Sequence, residues 1–163
     1  MKHQFLSKER DFITSYFNQY GGRNPLIRDY FSDDFVGLDG ISTKIYNKTE
    51  WLMALEDDFE QISKPFNIRV SDFDFRVLEN GDILAVAVSF WDIELFQDMP
   101  EYDKIRSVFV MQPKKNSYSI SHLSNSISLI ALKQNEIYPF TLRKLLNNFK
   151  KTGSWLGEAS QIS

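Results

Sequence analysis

The spacing of apolar residues changes near Pro65, and this change divides the chain into a helical part and a strand-rich part. Before Pro65, apolar residues recur every three or four positions over residues 7–20 and 47–64, which is typical of amphipathic helices. Asn24 and Pro25 predict the start of a short helix between these two helical segments, because proline is favoured in the first helical turn. After Pro65, four apolar-rich runs separated by turns predict consecutive antiparallel strands. Helices followed by strands indicate an α+β fold, with the helices packed on one face of a single sheet.

The first long strand is predicted to be bent. In residues 66–78, Ile68 and Val70 share one alternation phase, whereas Phe73 and Phe75 share the other. A β-bulge produces such a one-residue phase slip and bends the strand. The sequence therefore predicts a curved sheet.

The next predicted strand, residues 83–96, is apolar on both faces. One face carries Leu84, Val86 and Val88, and the other carries Ala85 and Ala87. Since helices can cover only one face, an apolar outer face of this size predicts an interface. We expect a homodimer that packs through the outer face of the sheet.

Aromatic residues make up 15% of the chain, with 14 Phe, 7 Tyr and 3 Trp. Such rings build cores and also line cavities for flat or apolar ligands. Rings on the helix stripes and on the strand faces should converge on one interior. The ring-bearing pocket candidates are Tyr16, Tyr20, Tyr30, Trp51, Phe75 and Trp91. A purely structural aromatic core is the alternative explanation.

Charge and composition exclude several classes of function. The net charge is −3 and the basic residues form no stripe, so no nucleic-acid partner is expected. The absence of cysteine excludes disulfides, thiol catalysis and cysteine-ligated metals. No apolar run approaches the ~20 residues of a membrane span, and the N-terminus has no signal-peptide core. We expect a cytoplasmic protein with no membrane partner.

The sequence shows no catalytic set, metal site or cofactor motif. It contains 2 histidines, and no histidine or carboxylate cluster has metal-ligand spacing. Asp72, Asp74 and Asp92 fall on predicted strands, where carboxylates are usually solvated. Asp92 is the best of these three as a catalytic base, yet no acidic donor faces it. Glu9 is predicted in the first turn of the first helix, where the helix dipole favours a negative charge.

His122 and Arg106 lie on the last two predicted strands, among Ile, Val, Phe and Ser residues. We expect them at facing positions, where they would supply the polar contacts of a pocket. His122 alternates with Tyr118 and Ile120, and an imidazole can both donate and accept hydrogen bonds. An arginine there would favour an anionic or carbonyl-bearing ligand. A one-residue error in strand phase would turn either side chain outward.

Four places in the chain resemble one known superfamily in their order and spacing. They are residues 35–38, residues 47–52, residues 80–86, and a closing strand pair at residues 106–111 and 118–122. The second resembles the "gly-lys-glu-glu-leu" entry to a third helix, and the third resembles a "gly-asp-x-ala-x-val" hairpin. Over about residues 5–130 the chain is similar to the NTF2-like superfamily, most closely to its SnoaL-like branch.

The resemblance implies a cone-shaped NTF2-like fold, and it leaves three functions open. The first is a non-catalytic small-molecule-binding or sensory domain. The second is a cofactor-free isomerase or dehydratase acting on a small polyketide- or steroid-like substrate. The third is an interaction module with a filled cone. Fold alone does not choose among them. The missing acid–base pair favours the first, and a buried carboxylate facing a Tyr or His would favour the second.

The chain is expected to divide into a SnoaL-like domain, residues 1–132, and a C-terminal helical extension or linker, residues 133–163. Residues 138–151 carry an amphipathic stripe that includes Leu142 and Phe149. Similar extensions in the family precede output domains of bacterial signalling proteins. The resemblance therefore implies a fused or associated output domain as a partner.

Overall fold

A computed structural model describes residues 2–40, 43–92 and 104–127, and every structural statement below concerns these residues. The predicted C-terminal helix at residues 138–151 lies outside them. The elements are, in order, α1 (Lys2–Gly21), a 3₁₀ helix (Pro25–Tyr30), β1 (Phe31–Leu38), β2 (Tyr46–Asn47), α2 (Lys48–Gln61), β3 (Asn67–Val77), β4 (Ile83–Asp92), β5 (Lys104–Lys114) and β6 (Ser117–Ile127).

The six strands form one sheet in the order β2-β1-β6-β5-β4-β3. Neighbouring strands are antiparallel except β1 and β6, which run parallel. α1 packs against β3, and α2 packs against β1 and β2. The α+β prediction is confirmed, with helices packed on a curved, mostly antiparallel sheet.

Two bulges in the antiparallel pairs of long strands set which side chains face the helices, and a further register shift lies in β1 between Phe31 and Val36. In β3 the pairing with β4 shifts between Val70 and Asp72, as the phase slip predicted. Ile68 faces inward before this bulge, and Phe73 and Phe75 pack inward after it. A second shift, in the pairing of β5 with β6 next to Val110, was not predicted. We call the helix-covered side of the sheet the inner face and the opposite side the outer face.

Small residues on the inner face of β4 let aromatic rings approach the sheet. Ala85 and Ala87 are buried there. The ring of Phe17 on α1 lies 5.9 Å from that of Phe109 on β5 and 6.3 Å from that of Trp91 on β4. Such edge-to-face contacts add to the stabilisation from the buried apolar area.

The position of α2 is fixed at its first turn. The Asn47 side chain accepts a hydrogen bond from the Glu50 backbone (3.0 Å), and the Glu50 carboxylate accepts one from the Asn47 backbone (3.1 Å). This reciprocal cap begins the helix one turn before Trp51. Trp51 then covers Gly37 of β1, where a Cβ atom would lie 2.6 Å from the indole.

Candidate functional site

The ring-bearing pocket candidates lie on the inner face or on the helices that cover it. Tyr16, Tyr20, Trp51 and Trp91 belong to the buried core. The closest pair among them is Tyr20 and Trp91, whose ring centroids are 4.7 Å apart. Tyr30 and Phe75 are half-buried against the same cluster. Each of these rings contacts at least one other aromatic ring, as expected of a packed interior.

Arg106 and His122 lie on the outer face of the sheet, on the side opposite the aromatic rings. The prediction that they supply polar contacts to a pocket shared with those rings is therefore corrected. Arg106 pairs with Ser126, and His122 pairs with Val110. The two are therefore not at facing positions. The bulge next to Val110 inserts one residue between Ile120, which is fully buried, and His122, and it turns the imidazole outward. His122 Nδ1 lies 2.9 Å from the Val36 carbonyl oxygen on the neighbouring strand.

Three polar side chains lie on the inner face, and we call them the inner polar row: Ser89, Ser107 and Asn125. Ser89 lies on β4 opposite Ile105, diagonally from Ser107 and nearer the end of the strand. Ser107 pairs with Ala87 on one side and with Asn125 on the other. Its hydroxyl donates to Asn125 Oδ1 at 2.7 Å. Ser89 accepts from Trp91 Nε1 at 2.9 Å. The two serines are buried and Asn125 is half-buried, so Asn125 is the most accessible residue of the row.

The inner polar row lies near one end of the sheet. β4 ends at Asp92, β5 begins at Lys104 and β6 ends at Ile127, all at this end. Hydroxyl and amide groups beside aromatic rings can orient a ligand within an apolar cavity. Sequence reasoning missed this row. A serine among Ala85, Ala87 and Trp91 in one alternation phase was the available signal.

A tyrosine–carboxylate pair joins the two helices. The Tyr20 hydroxyl on α1 donates to Asp58 Oδ2 on α2. Burial raises the pKa of Asp58, whereas the Tyr20 hydrogen bond and the Arg23 charge act in the opposite direction. Tyr16 is close enough for Asp58 to add to the pKa increase that burial already causes in this tyrosine. Asp58 thus lies near two core tyrosines.

Arg23 holds this pair from the end of α1. Its guanidinium is almost completely buried, and Nη1 lies 3.4 Å from Asp58 Oδ2. Nε donates to the Ile62 carbonyl at 2.7 Å. The guanidinium carbon lies 4.5 Å from the ring centroid of Phe66 and 4.9 Å from that of Phe59. Cation–π contacts of this kind are strong where the cation is desolvated.

Sequence reasoning searched the strands for acids and therefore missed Asp58. The residue falls in an acidic run on α2 that resembles a solvated helix face. Its spacing was the available signal, because Trp51, Leu55, Asp58 and Ile62 repeat along one side of a helix.

A second pair connects α1 to the start of β6. Glu9 is only 2% exposed, and its Oε1 accepts a hydrogen bond from the Tyr118 hydroxyl at 2.6 Å. Glu9 Oε2 is buried and has no hydrogen-bond partner among the described residues. Burial, and then Glu9, raise the pKa of Tyr118 to about 12. Because α1 begins at Lys2, the predicted first-turn position of Glu9 was wrong.

A surface depression of about 570 Å³ adjoins Tyr118, between α1, the 3₁₀ helix and the turn from β5 to β6. Phe12 and Tyr30 line it beside Tyr118. Its charged residues are of both signs and include Lys8, Lys114 and Asp11. The depression gives Tyr118 access to solvent from outside the core.

Among residues 2–40, 43–92 and 104–127, no group of three or more histidine, aspartate or glutamate side chains could hold a metal ion. No helix of the described part is long and apolar enough to cross a membrane.

Comparison with known proteins gives the same fold. The family model of the SnoaL-like domain matches residues 10–130. No curated protein matches the chain. An NTF2-like protein of unknown function from Pseudomonas putida KT2440 is similar with a TM-score of 0.62 and 15% identity, over 74% of this chain and 84% of that chain. Nuclear transport factor 2 from Cryptosporidium parvum gives a TM-score of 0.58 and 12% identity, over 77% and 95% of the two chains.

A protein provisionally named as a scytalone dehydratase, from Novosphingobium aromaticivorans DSM 12444, gives a TM-score of 0.61 and 7% identity. The similarity covers 78% of this chain and 86% of that chain. At these identities the likeness shows the fold alone, and one fold hosts many functions.

Proposed function

This chain belongs to the SnoaL-like domain family, and we propose that its cone is a non-catalytic binding site for a small flat molecule. The inner polar row carries this proposal. Hydroxyl and amide groups cross an inner face that is otherwise apolar, and they end at the half-buried Asn125 amide. A few polar groups beside large rings are what a ligand site needs for both orientation and affinity.

The chemistry of the row indicates the class of ligand. Ser107 and Asn125 offer neutral donors and acceptors, which suit a carbonyl or hydroxyl group better than a full charge. Trp91 presents a large ring close to the same row. We therefore propose a flat aromatic or polycyclic ketone or phenol as the ligand class.

A thermal-shift screen of flat ketones and phenols, such as flavone, anthraquinone and 2-naphthol, tests this proposal. A ligand that binds the native state raises the melting temperature with its concentration. Asn125→Leu should abolish the shift. Ser126→Ala, one residue away on the outer face, is the matched control and should retain the shift. A hit that survives Asn125→Leu, or a panel with no hit at all, would refute the proposal.

The Tyr20–Asp58 pair supports a second candidate, a cofactor-free isomerase or dehydratase. A carboxyl group of raised pKa beside a tyrosine hydroxyl is an acid–base arrangement. The carboxylate would take a proton from the carbon next to a substrate carbonyl. Return of that proton to another carbon completes an isomerisation, and loss of a β-hydroxyl group as water completes a dehydration.

Turnover of β,γ-unsaturated and β-hydroxy ketones, followed by the ultraviolet absorbance of the conjugated product, separates the two candidates. The enzyme candidate requires turnover by the wild type and its loss in Asp58→Asn, with the fold intact by circular dichroism. Binding without turnover supports the first proposal. Turnover that Asp58→Asn leaves unchanged removes Asp58 from the chemistry.

The remaining expectations stay predictions. A sensory role with a fused or associated output domain rests on residues 133–163, which lie outside the described part of the chain. A cytoplasmic location likewise stays a prediction.

A further inference from the structure

The surface depression between α1, the 3₁₀ helix and the β5–β6 turn has a wall of aromatic rings that the proposed cone site does not use. The ring centroid of Phe12 lies 5.2 Å from that of Tyr30 and 5.5 Å from that of Tyr118. All three side chains line the depression and are half-buried. Contiguous apolar surface that stays exposed often marks a binding site.

The hydroxyl groups of the two tyrosines already have partners within the protein. Tyr118 donates to the buried Glu9 carboxylate at 2.6 Å, and the Tyr30 hydroxyl lies 2.6 Å from that of Ser15. These contacts fix the two side chains in place. The wall therefore offers a preformed ring surface on which a planar molecule can stack.

Three lysines surround this wall from two sides of the depression. Lys8 lies on α1, whereas Lys114 and Lys115 lie where β5 turns into β6. Among the described residues, none of the three forms a salt bridge. The acids of the lining are Asp11 and Asp29, so lysines outnumber acids here although the whole chain has a net charge of −3. The lining therefore favours an anion over a cation.

We propose that this depression is a second ligand site, which binds a planar aromatic carboxylate. The ligand ring would stack on Phe12 and Tyr118, and its carboxylate would lie between Lys8 and Lys115. The depression measures about 570 Å³, which is within the usual range of small-molecule sites.

The proposed site is separate from the cone. None of the inner polar row lines the depression. The row lies near the end of the sheet where β5 begins at Lys104, whereas the depression lies at the opposite end, where β5 ends at Lys114. Loss of one site should therefore leave the other intact.

Isothermal titration calorimetry with 2-naphthoate tests the chemistry of the site. We expect one naphthoate per chain at the depression, and at least about threefold weaker binding of 2-naphthylmethylamine, which carries the same ring and the opposite charge. The double variant Lys8→Gln, Lys115→Gln should weaken naphthoate binding about three- to tenfold, since two exposed ion pairs are lost. The control Arg10→Gln, Arg76→Gln removes the same charge from exposed positions outside the depression and should bind like the wild type. No binding of naphthoate, or equal weakening in both double variants, would overturn the proposal.

Filling the depression tests its location. Ser117 is exposed and lines the depression, so Ser117→Trp should abolish naphthoate binding. Ser126→Trp, at an exposed serine on the outer face of the same strand, is the matched control and should retain it. Asn125→Leu, which removes the amide of the cone site, should also retain it. Circular dichroism checks each fold, and Asn116→Trp in the turn replaces Ser117→Trp if the latter does not fold. Binding that survives the filled depression, or that Asn125→Leu abolishes, would refute the second site and leave the cone proposal standing.

Discussion

The hydroxyl of Tyr118 should stabilise the fold more than the partial exposure of this residue suggests, because the hydroxyl is the hydrogen-bond donor to the buried Glu9 carboxyl group. Tyr118→Phe removes this donor from Glu9 Oε1, and Glu9 Oε2 already has no partner in the described part of the chain. The ring itself keeps its contact with Phe12, at a centroid distance of 5.5 Å. The substitution therefore isolates the hydrogen bond from the packing.

The expected loss follows from the fully buried position of Glu9. Leaving a buried polar group without its partner costs about 1–3 kcal/mol, more than the ~1 kcal/mol of an average hydrogen bond. Glu9→Met removes the buried acceptor instead and leaves the Tyr118 hydroxyl able to reach water through the surface depression. The double variant Glu9→Met, Tyr118→Phe replaces both groups by apolar ones, so its stability should lie close to that of the wild type.

Urea denaturation of the four proteins forms a double-mutant cycle that measures this coupling. Tyr30→Phe is the matched control. Its hydroxyl lies 2.6 Å from that of Ser15, beside the same depression, so among the described residues it bonds a hydroxyl group and not a buried carboxyl group. A loss of stability in Tyr118→Phe no larger than that in Tyr30→Phe, or a double variant that loses the sum of the two single losses, would contradict this expectation.

Three further predictions concern packing, pH and the tail. Gly37→Ala should lower stability by about 1–3 kcal/mol, measured by urea denaturation, because the new Cβ would lie 2.6 Å from Trp51. The pKa of Asp58 is higher in the folded state than in the unfolded state, so the folded state binds this proton more tightly. The free energy of unfolding should therefore fall as pH rises from about 3.8 through the folded-state pKa. Asp58→Asn should lack this fall in acid titrations. If residues 134–163 are a linker, their deletion should change the melting temperature little; a large decrease would indicate a lid instead.

The helices, the strands and the first bulge could be predicted because each leaves a local pattern. The Asn47–Glu50 cap and the phase slip between Val70 and Phe73 are visible in a few consecutive residues. The second bulge was not visible, since Ile120, His122 and Ser124 alternate plausibly without it. Only the pairing with β5 shows the inserted residue. Because this inserted residue was missed, the sequence analysis assigned His122 to the wrong face of the sheet. A shift of one residue along a strand always exchanges the two faces.

The buried carboxyl groups could not be predicted because their partners are distant in the sequence. Glu9 bonds Tyr118, 109 residues away, and Asp58 bonds Tyr20, 38 residues away. A single helix sequence assigns such acids to the solvated face, since acids are rarely buried without a partner. Tertiary contacts supply the partner and overturn that assignment.

The Tyr20–Asp58 pair, although it meets the acid–base geometry, has a structural role that explains it without catalysis. The Arg23 guanidinium is buried among aromatic rings, and Asp58 is its counter-charge. A buried cation without such a partner would be strongly destabilising. Asp58 Oδ2 already accepts from Tyr20 and lies beside Arg23, so a catalytic proton transfer there would disturb the joint between the helices. The half-buried Asn125 side chain accepts a hydrogen bond from Ser107 and balances no buried charge among the described residues, which supports the proposal of ligand binding over that of catalysis.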